Sequence, residues 1–249
     1  MKKSNYEKIE KCINDIYGTL YKPFVNGKLP IIIYSHGLGS NHFSGDAYAK
    51  YLSKKGFAFY EFDFRNGGEL SKSGNDMTKM SVMTEVNDLL EVIEEIQKWD
   101  FIDTNNIVLL GGSQGGLVSA LVSAKLNNII KGLILLYPAF VIPDIVHSSF
   151  DSLDEVPDTF DYEDWVTFGR VYAEDIWNLD VYKEACKYDG KVLIIHGTAD
   201  DMVPYSYSER ANELYHNSKL NLIDGAGHGF KYKDLEIALE NINDFLIKL

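Results

Sequence analysis

Six short apolar runs, rich in β-branched and aromatic residues, alternate with longer segments of helical periodicity along most of this chain. The runs are nearly continuous in apolar residues, which is typical of strands that helices bury on both faces. Such strands form a mostly parallel sheet, because each strand is joined to the next by a helix that covers the sheet. The predicted strands are IIIYSH (31–36), FAFYEFDF (57–64), NIVLLGG (106–112), LILLYP (133–138), VLIIHGT (192–198) and LNLID (220–224).

The segments between these strands place apolar residues at i, i+3 and i+4, as surface-packed helices do. The β-α-β-α order predicts a doubly wound α/β fold with right-handed crossovers and helices on both faces of the sheet. With 249 residues, 45% of them hydrophobic, the chain is long enough for one large α/β domain plus an insertion, or for two small domains. Residues 5–22 are predicted to form a leading hairpin that turns at Asn14 and Asp15.

The strand-helix rhythm stops between residues 140 and 189. This segment holds 13 Asp or Glu against 3 Lys or Arg, together with nine aromatic residues from Phe150 to Tyr188. A structureless loop of that length is uncommon inside a compact domain, so a folded insertion that covers something is expected. The predicted division is a core of residues 1–139 and 190–249 with an insertion at 140–189.

The charge balance argues against several classes of partner. The net charge of −13 and the pI near 4.9 oppose binding to nucleic acid and to anionic membrane surfaces. No run reaches about 18 apolar residues, and the basic start of the chain is not followed by the apolar stretch of a signal peptide. The sequence therefore predicts a soluble cytoplasmic protein.

Histidines and cysteines show no metal-binding pattern. The six histidines form neither HxH nor HExxH, and the two cysteines, Cys12 and Cys186, lie far apart with no CxxC partner. This usage suits a reducing compartment. Neither a metal nor an organic cofactor is expected.

A glycine-rich turn, GGSQGG at residues 111–116, joins a predicted strand to an apolar helix. A dinucleotide-binding loop needs glycine at the third position of G-x-G-x-x-G, where this turn has Ser113, and no P-loop lysine follows. The same residues satisfy G-x-S-x-G, in which a sharp strand-to-helix turn lifts a nucleophilic serine out of the sheet. Small neighbours permit that turn, so we expect Ser113 to be a nucleophile.

A serine nucleophile needs a base and an acid that orients the base. In chains with this turn they follow in the order Ser, Asp or Glu, His, near the ends of later strands. Asp200 and His228 each come just past a predicted strand, in that order. Asp201 is an adjacent alternative acid that is better suited to capping the next helix. We therefore expect Ser113, Asp200 and His228 to form a catalytic triad.

Catalysis by such a triad also requires two backbone N–H groups for the oxyanion. One comes from the residue after the nucleophile, Gln114, and the other from the loop after an early strand. That loop is SHGLGSNHF (35–43), and Leu38 is its expected donor. His36 in the same loop is expected to fix the loop by hydrogen bonds rather than to act as a second base.

Together these motifs resemble those of the α/β-hydrolase superfamily, most of all the small microbial cinnamoyl or feruloyl esterases, with monoacylglycerol-lipase-like enzymes nearby. The resemblance implies an α/β-hydrolase fold, and it assigns Ser113 as nucleophile, Asp200 as orienting acid and His228 as base. It covers nearly the whole chain, through YSHGLGSN, EFDFRNGGELS, GGSQGG, the insertion after LLYPAF, HGTADDMVP and GAGHGF.

The resemblance further implies that residues 140–189 form a cap whose polar groups bind the acyl group, with Asp144 and Tyr172 as candidates to contact a phenolic hydroxyl. Two positions depart from the pattern. These esterases commonly have a histidine before the serine and a G-H-G turn after the D-F-R strand, where this chain has Gly112 and RNGGELS. Both departures bear on the pocket, and so on the substrate class.

The sequence as a whole predicts a carboxylic ester hydrolase that forms an acyl-enzyme on small aryl esters, of the cinnamoyl or feruloyl type, or on short acyl esters. A monoacylglycerol lipase, a thioesterase or a peptidase would use the same triad. A hydrolase-fold protein that binds a ligand without catalysis is the alternative of a different class. The side chains of the insertion decide among these, because they would contact the acyl and leaving groups.

Overall fold

The computed structural model describes residues 5–249, and all six predicted strands are present in it. Eight of its ten strands form one sheet, and the other two form a separate hairpin. The strands are β1 (Tyr6–Glu10), β2 (Gly18–Pro23), β3 (Leu29–Ser35), β4 (Ala58–Phe62), β5 (Ile102–Gly112), β6 (Ile130–Leu136), β7 (Thr159–Tyr162), β8 (Val166–Gly169), β9 (Lys191–Gly197) and β10 (Ser218–Ile223).

Eight α-helices connect or follow the strands of the described chain. Within residues 5–249, none is long and apolar enough to cross a bilayer. The helices are α1 (Asp46–Ser53), α2 (Val82–Ile96), α3 (Gln114–Lys125), α4 (Ile142–Ser149), α5 (Arg170–Ile176), α6 (Val181–Ala185), α7 (Ser206–Leu214) and α8 (Tyr232–Leu246).

The order of strands in the large sheet is β1-β2-β4-β3-β5-β6-β9-β10. All neighbours from β4 to β10 are parallel, as predicted. Strands β1 and β2 add an antiparallel edge, which is the predicted leading hairpin. Its turn holds Asn14 at a φ of 50°, a conformation that asparagine tolerates better than most residues.

Helices cover both faces of the sheet, and β3 shows why its sequence is continuously apolar. Ile31 and Ile33 pack in the core beneath α2 and α3, whereas Ile32 and Tyr34 pack in the core beneath α1 and α8. Successive side chains of a strand point to opposite faces, so a strand with two covered faces needs apolar residues at every position.

Residues 140–189 are folded, as expected. They contain α4, the antiparallel hairpin β7-β8, α5 and α6. The segment leaves the sheet after β6 and returns at β9, which pairs directly with β6. Its buried residues, Phe168 and Tyr172 among them, belong to the same core as α2 and α3.

The central strands end at one level of the sheet. Ser35 pairs with Gly111, and Leu136 pairs with both Gly112 and Ile195. The residues that follow these strands are therefore neighbours, at the carboxyl edge where ligands bind in parallel α/β sheets.

The turn from β5 into α3 passes very close to β3. A Cβ placed on Gly115 would lie 2.3 Å from the carbonyl oxygens of both Ser35 and His36. These oxygens are backbone atoms and cannot rotate away. Only glycine permits this approach of the helix to the strand.

We expect Gly115→Ala to destabilise the protein by about 3 kcal/mol or more, at the upper end of what overpacking costs, because the clash is with backbone. Gly112→Ala is the matched control, since its Cβ would meet its nearest neighbour at 3.4 Å, an ordinary contact. Urea unfolding of the two variants and the wild type measures the difference. Equal stability of the two variants would contradict this account of the turn.

Candidate active site

The turn between β5 and α3 holds Ser113 in a backbone conformation that residues other than glycine rarely adopt. Its φ is 54° and its ψ is −123°. The N–H of Ser113 donates to the carbonyl of Leu136 at 3.0 Å, and its own carbonyl accepts the N–H groups of Gly116 at 2.9 Å and Ala139 at 3.0 Å. A strained serine between a strand and a helix is the geometry of a nucleophile elbow.

Ser113, His228 and Asp200 are joined by two hydrogen bonds. His228 Nε2 lies 3.1 Å from Ser113 Oγ, and His228 Nδ1 lies 2.8 Å from Asp200 Oδ2. A carboxylate only accepts, so Nδ1 carries the proton and Nε2 accepts the serine hydroxyl. Asp201, the alternative acid, is exposed. The structure thus brings the three predicted residues together in the order nucleophile, base, acid.

The Asp200 carboxylate is fully buried but well supplied with donors. It accepts the backbone N–H groups of Met202 at 3.0 Å and Val203 at 2.8 Å, besides hydrogen bonds from His228 and His196. Burial alone would raise the pKa of Asp200, but these hydrogen bonds outweigh it and hold the pKa well below its usual range. Asp200 is therefore ionised at neutral pH, where it accepts the hydrogen bond from His228.

His196, near the end of β9, is a site residue that the sequence did not single out. Its Nε2 lies 3.1 Å from Asp200 Oδ2 and 2.9 Å from the carbonyl of Val203, and its Nδ1 lies 2.7 Å from Ser208 Oγ. Because Nε2 faces two acceptors it carries the proton, and Nδ1 accepts the Ser208 hydroxyl. The sequence feature that could have indicated His196 is its position at the end of a strand, four residues before Asp200.

The loop after β3 runs beside the elbow. A Cβ on Gly37 would lie 3.1 Å from Ser113 Cβ, so the loop backbone passes directly over the serine. The next N–H, that of Leu38, has no hydrogen-bond partner within residues 5–249. Gln114 is the first residue of α3, where backbone N–H groups lack partners in the helix. Both predicted oxyanion donors thus lie on the segments that flank Ser113.

His36 fixes this loop, in keeping with the prediction. Its Nδ1–H donates to the carbonyl of Gly37 at 2.8 Å, and its Nε2 accepts the N–H of Phe64 at 3.1 Å. The ring is completely buried, and this burial lowers the pKa of His36 to about 4. At neutral pH His36 is uncharged, with both ring nitrogens engaged.

A pocket of about 370 Å³ opens at Ser113 and His228. Much of its wall is apolar and comes from the segment 140–189. In the described part of the chain no Lys or Arg lines the pocket, and no cluster of metal-ligating side chains is present. The wall residues from this segment include Val141, Ile145, Phe150, Phe160, Trp165 and Tyr172.

Tyr172 lines the pocket, and its hydroxyl is already engaged. The hydroxyl donates to Gln114 Oε1 at 2.7 Å, and the ring stacks on Phe168 with centroids 3.9 Å apart. The Gln114 side chain also contacts Met80, with Nε2 3.5 Å from Sδ. The insertion is therefore hydrogen-bonded to the residue that follows the candidate nucleophile.

The structure does not bring Asp144, the other candidate of the insertion, to the wall of this pocket. Asp144 is exposed and accepts the hydroxyl of Tyr207 at 2.6 Å. Helix α4 turns Ile142 and Ile145 toward the pocket, and a residue between them lies on another face of the helix. The acidic residue that lines the pocket is Asp161, on β7, and the sequence did not indicate it.

Comparison with known proteins relates the chain to esterases and lipases. The model of the prolyl oligopeptidase family matches residues 41–248. "Putative esterase/lipase 2" of Mycoplasma pneumoniae is 25% identical over 244 residues, which is 86% of this chain and 88% of that protein. The monoglyceride lipase of Mus musculus is 33% identical over 108 residues, but these are 43% of this chain and 34% of that protein.

A solved structure is similar over almost the whole chain. Est1E from Butyrivibrio proteoclasticus, solved with ferulic acid bound, matches with a TM-score of 0.83 and 28% identity, covering 96% of this chain and 98% of that chain. Another structure of Est1E gives a TM-score of 0.81 at 27% identity, covering 98% of each chain.

The lowered pKa of His36 predicts a pH-dependent term in stability. The folded pKa of about 4 lies below the usual 6.5, so the native state binds fewer protons than the unfolded chain. This contribution is fully present above pH 6.5 and is lost as the pH falls toward 4, by about 3 kcal/mol.

His36→Gln keeps a donor and an acceptor but does not titrate. We expect the free energy of unfolding of the wild type to fall more steeply than that of the variant between pH 6.5 and pH 4. Other titrating groups contribute equally to both proteins, so they cancel in the comparison. One such group is Glu61, whose pKa burial raises to about 8, so that its own contribution to stability changes with pH in the opposite direction. Parallel curves in urea titrations across this range would contradict the prediction.

Proposed function

The chain belongs to the prolyl oligopeptidase family of α/β hydrolases and is a serine carboxylesterase, and we propose that Ser113, His228 and Asp200 are its catalytic triad. Three observations support this assignment. The residues follow the chain order of α/β hydrolases. Ser113 has the strained backbone of an elbow, and two hydrogen bonds join it through His228 to Asp200.

In the proposed reaction, His228 Nε2 takes the hydroxyl proton of Ser113 as Oγ attacks the ester carbonyl carbon. Asp200 holds Nδ1–H and stabilises the imidazolium. The tetrahedral intermediate then expels the alkoxide, which takes the proton from Nε2 and leaves as the alcohol. Water, deprotonated by His228, attacks the acyl-serine, and the proton returns to Oγ as the carboxylic acid leaves.

The N–H groups of Leu38 and Gln114 are the proposed donors to the oxyanion. Leu38 N–H has no partner within residues 5–249, and Gln114 N–H stands at the start of α3, where the helix dipole favours negative charge. Donors that are already oriented stabilise the developing charge without reorganisation. The hydrogen bond from Tyr172 to the Gln114 side chain helps to hold that residue in place.

Residues 140–189 are proposed to act as a cap over a core of residues 1–139 and 190–249. The segment supplies much of the apolar wall beside Ser113 and His228. Its removal would leave the triad open to solvent, whereas electrostatic stabilisation is strongest where water is excluded.

The proposed substrates are small esters of aromatic or short acids. One observation carries this proposal: the pocket is small, at about 370 Å³, and six of its lining residues from the cap are aromatic. Pockets for small ligands begin near this volume, and aromatic walls favour a flat aromatic group. Est1E, the similar structure with ferulic acid bound, supports an aryl acid. The six are Phe150, Phe160, Tyr162, Trp165, Phe168 and Tyr172.

Other hydrolase reactions are weaker candidates. The flat aromatic walls suit an aryl group better than the long flexible chain of a monoacylglycerol. An acyl-CoA carries phosphates, and no Lys or Arg lines the pocket in the described part of the chain. The family model and matches to proline iminopeptidases, at 24% identity over 44% of this chain, make a peptidase the second candidate.

We expect Ser113→Ala to lower kcat by a factor on the order of 10⁴ to 10⁶, because the nucleophile is lost while the fold is kept. Hydrolysis of p-nitrophenyl acetate and labelling by a fluorophosphonate probe measure the effect. Ser123→Ala is the matched control, because Ser123 is a buried serine of α3 that bonds only to the Ala120 carbonyl. Equal activity of Ser113→Ala and the wild type would rule out the triad. A wild type that neither hydrolyses the ester nor reacts with the probe would instead support a non-catalytic ligand-binding role.

The acyl specificity is tested with a panel of methyl ferulate, methyl p-coumarate, p-nitrophenyl esters of increasing chain length, a monoacylglycerol, an acyl-CoA and a prolyl p-nitroanilide. We expect the highest kcat/KM on the aryl esters and a fall beyond short acyl chains, because the pocket is small and aromatic. The Ser113→Ala variant sets the background for each compound. A preference for the prolyl anilide, the monoacylglycerol or the acyl-CoA would overturn the aryl assignment and leave the triad standing.

A further inference from the structure

Tyr137, the residue after β6, has a backbone conformation that tyrosine rarely adopts. Its φ is 38°, and the next residue is Pro138, whose ring restricts the backbone of the residue before it. The conformation is held by a hydrogen bond from Tyr137 N–H to the carbonyl of Ile195 at 2.8 Å. Bulky residues keep a positive φ only where their surroundings impose it, and such residues cluster at functional sites.

The ring of Tyr137 lies between His228 and the elbow. Its centroid is 4.7 Å from that of the His228 imidazole, at an interplanar angle of 60°, and 5.0 Å from that of Phe230. A Cβ on Gly112 would lie 3.4 Å from the Tyr137 hydroxyl oxygen and 3.5 Å from its Cε2. A methyl group fits there at ordinary contact distance, but the ring fills the space that a larger side chain at position 112 would need.

We propose that Tyr137 is a positioning residue whose ring holds the His228 imidazole with Nε2 toward Ser113, and that a side chain larger than alanine at position 112 would displace this ring. The inference rests on the proposed triad. It accounts together for the strained backbone of Tyr137 and for a small residue before the serine.

The physical reason lies in how an imidazole is held. Its hydrogen bond to Asp200 fixes one ring nitrogen but leaves rotation about the Nδ1–carboxylate direction. An aromatic ring packed edge-to-face against the imidazole removes that freedom, because tilting would break the contact. Proton transfer depends on the 3.1 Å separation between Nε2 and Ser113 Oγ, and a displacement of about 1 Å costs about a hundredfold in rate.

The test measures kcat and KM of Tyr137→Leu and Tyr137→Phe on p-nitrophenyl acetate, whose small acyl group makes little use of the pocket wall. We expect Tyr137→Leu to lose about tenfold to a hundredfold in kcat with KM within about twofold of the wild type, because only the alignment of His228 changes. Tyr137→Phe should stay within about twofold in kcat, since the ring remains. Fluorophosphonate labelling of Ser113 should slow in parallel with kcat.

Tyr188→Leu is the matched control for loss of a buried tyrosine. Tyr188 is fully buried, and its hydroxyl bonds to the carbonyl of Ile130, away from the pocket. We expect this variant to melt at a lower temperature with kcat unchanged. If kcat falls in Tyr188→Leu as much as in Tyr137→Leu, the loss follows from lower stability alone, and the positioning role of Tyr137 is contradicted.

A second variant approaches the same contact from the elbow. Gly112→Leu should push the Tyr137 ring away and lower kcat to a similar degree as Tyr137→Leu. Because both act on one contact, the loss in the double variant Gly112→Leu with Tyr137→Leu should be clearly smaller than the product of the two single losses. Independent, multiplying losses would overturn the proposal.

The outcomes separate this inference from the function on which it rests. Wild-type turnover that Ser113→Ala does not reduce would overturn the triad itself. Turnover that depends on Ser113 but is unchanged in Tyr137→Leu would overturn only the positioning role. A loss in Tyr137→Phe as large as in Tyr137→Leu would assign the effect to the hydroxyl, and a rise in KM with kcat unchanged would assign it to the pocket wall; either result contradicts the proposal.

Discussion

The approach of helix α3 to strand β3 is the constraint on which the rest of the site depends. With no side chain at Gly115, the helix begins within contact distance of the carbonyls of Ser35 and His36. The backbone must turn sharply to reach that position, and Ser113 takes up the strain of the turn. The same contact places the loop after β3, with Leu38, against the serine. The proposed nucleophile and the proposed oxyanion loop are thus located by one packing contact rather than by two separate ones.

His228, the proposed base, is held by a continuous line of hydrogen bonds. It runs from Ser208 through His196, Asp200 and His228 to Ser113, with separations of 2.7, 3.1, 2.8 and 3.1 Å. Asp200 only accepts, so it fixes the proton positions of the two histidines on either side of it. The line joins α7, β9, the loop after β10 and the elbow. The tautomers of the two histidines are therefore set by elements that are distant in sequence.

The sequence predicted the parts of this structure that depend on residues near one another in the chain. Strands covered on both faces read as continuous apolar runs, and the elbow, the acid and the base follow strand ends in a fixed order. Contacts between side chains of different elements produce no comparable pattern in the sequence. The links from His196 to Asp200 and from Tyr172 to Gln114 were invisible for that reason. Asp144 lies outside the pocket wall because the helical face it occupies depends on how α4 docks.

The pocket and the surface of this molecule differ in electrostatic character, and the proposed reaction gives that difference a consequence. An ester enters uncharged, but its acid product is a carboxylate at neutral pH. In the described part of the chain the pocket offers that anion no Lys or Arg, and it carries the carboxylate of Asp161. An unpaired charge in an apolar site is costly, and the protein around it has a net charge of −13. In the proposed reaction, the wall that receives a neutral ester therefore disfavours its charged product, so that release follows from the chemistry of hydrolysis itself.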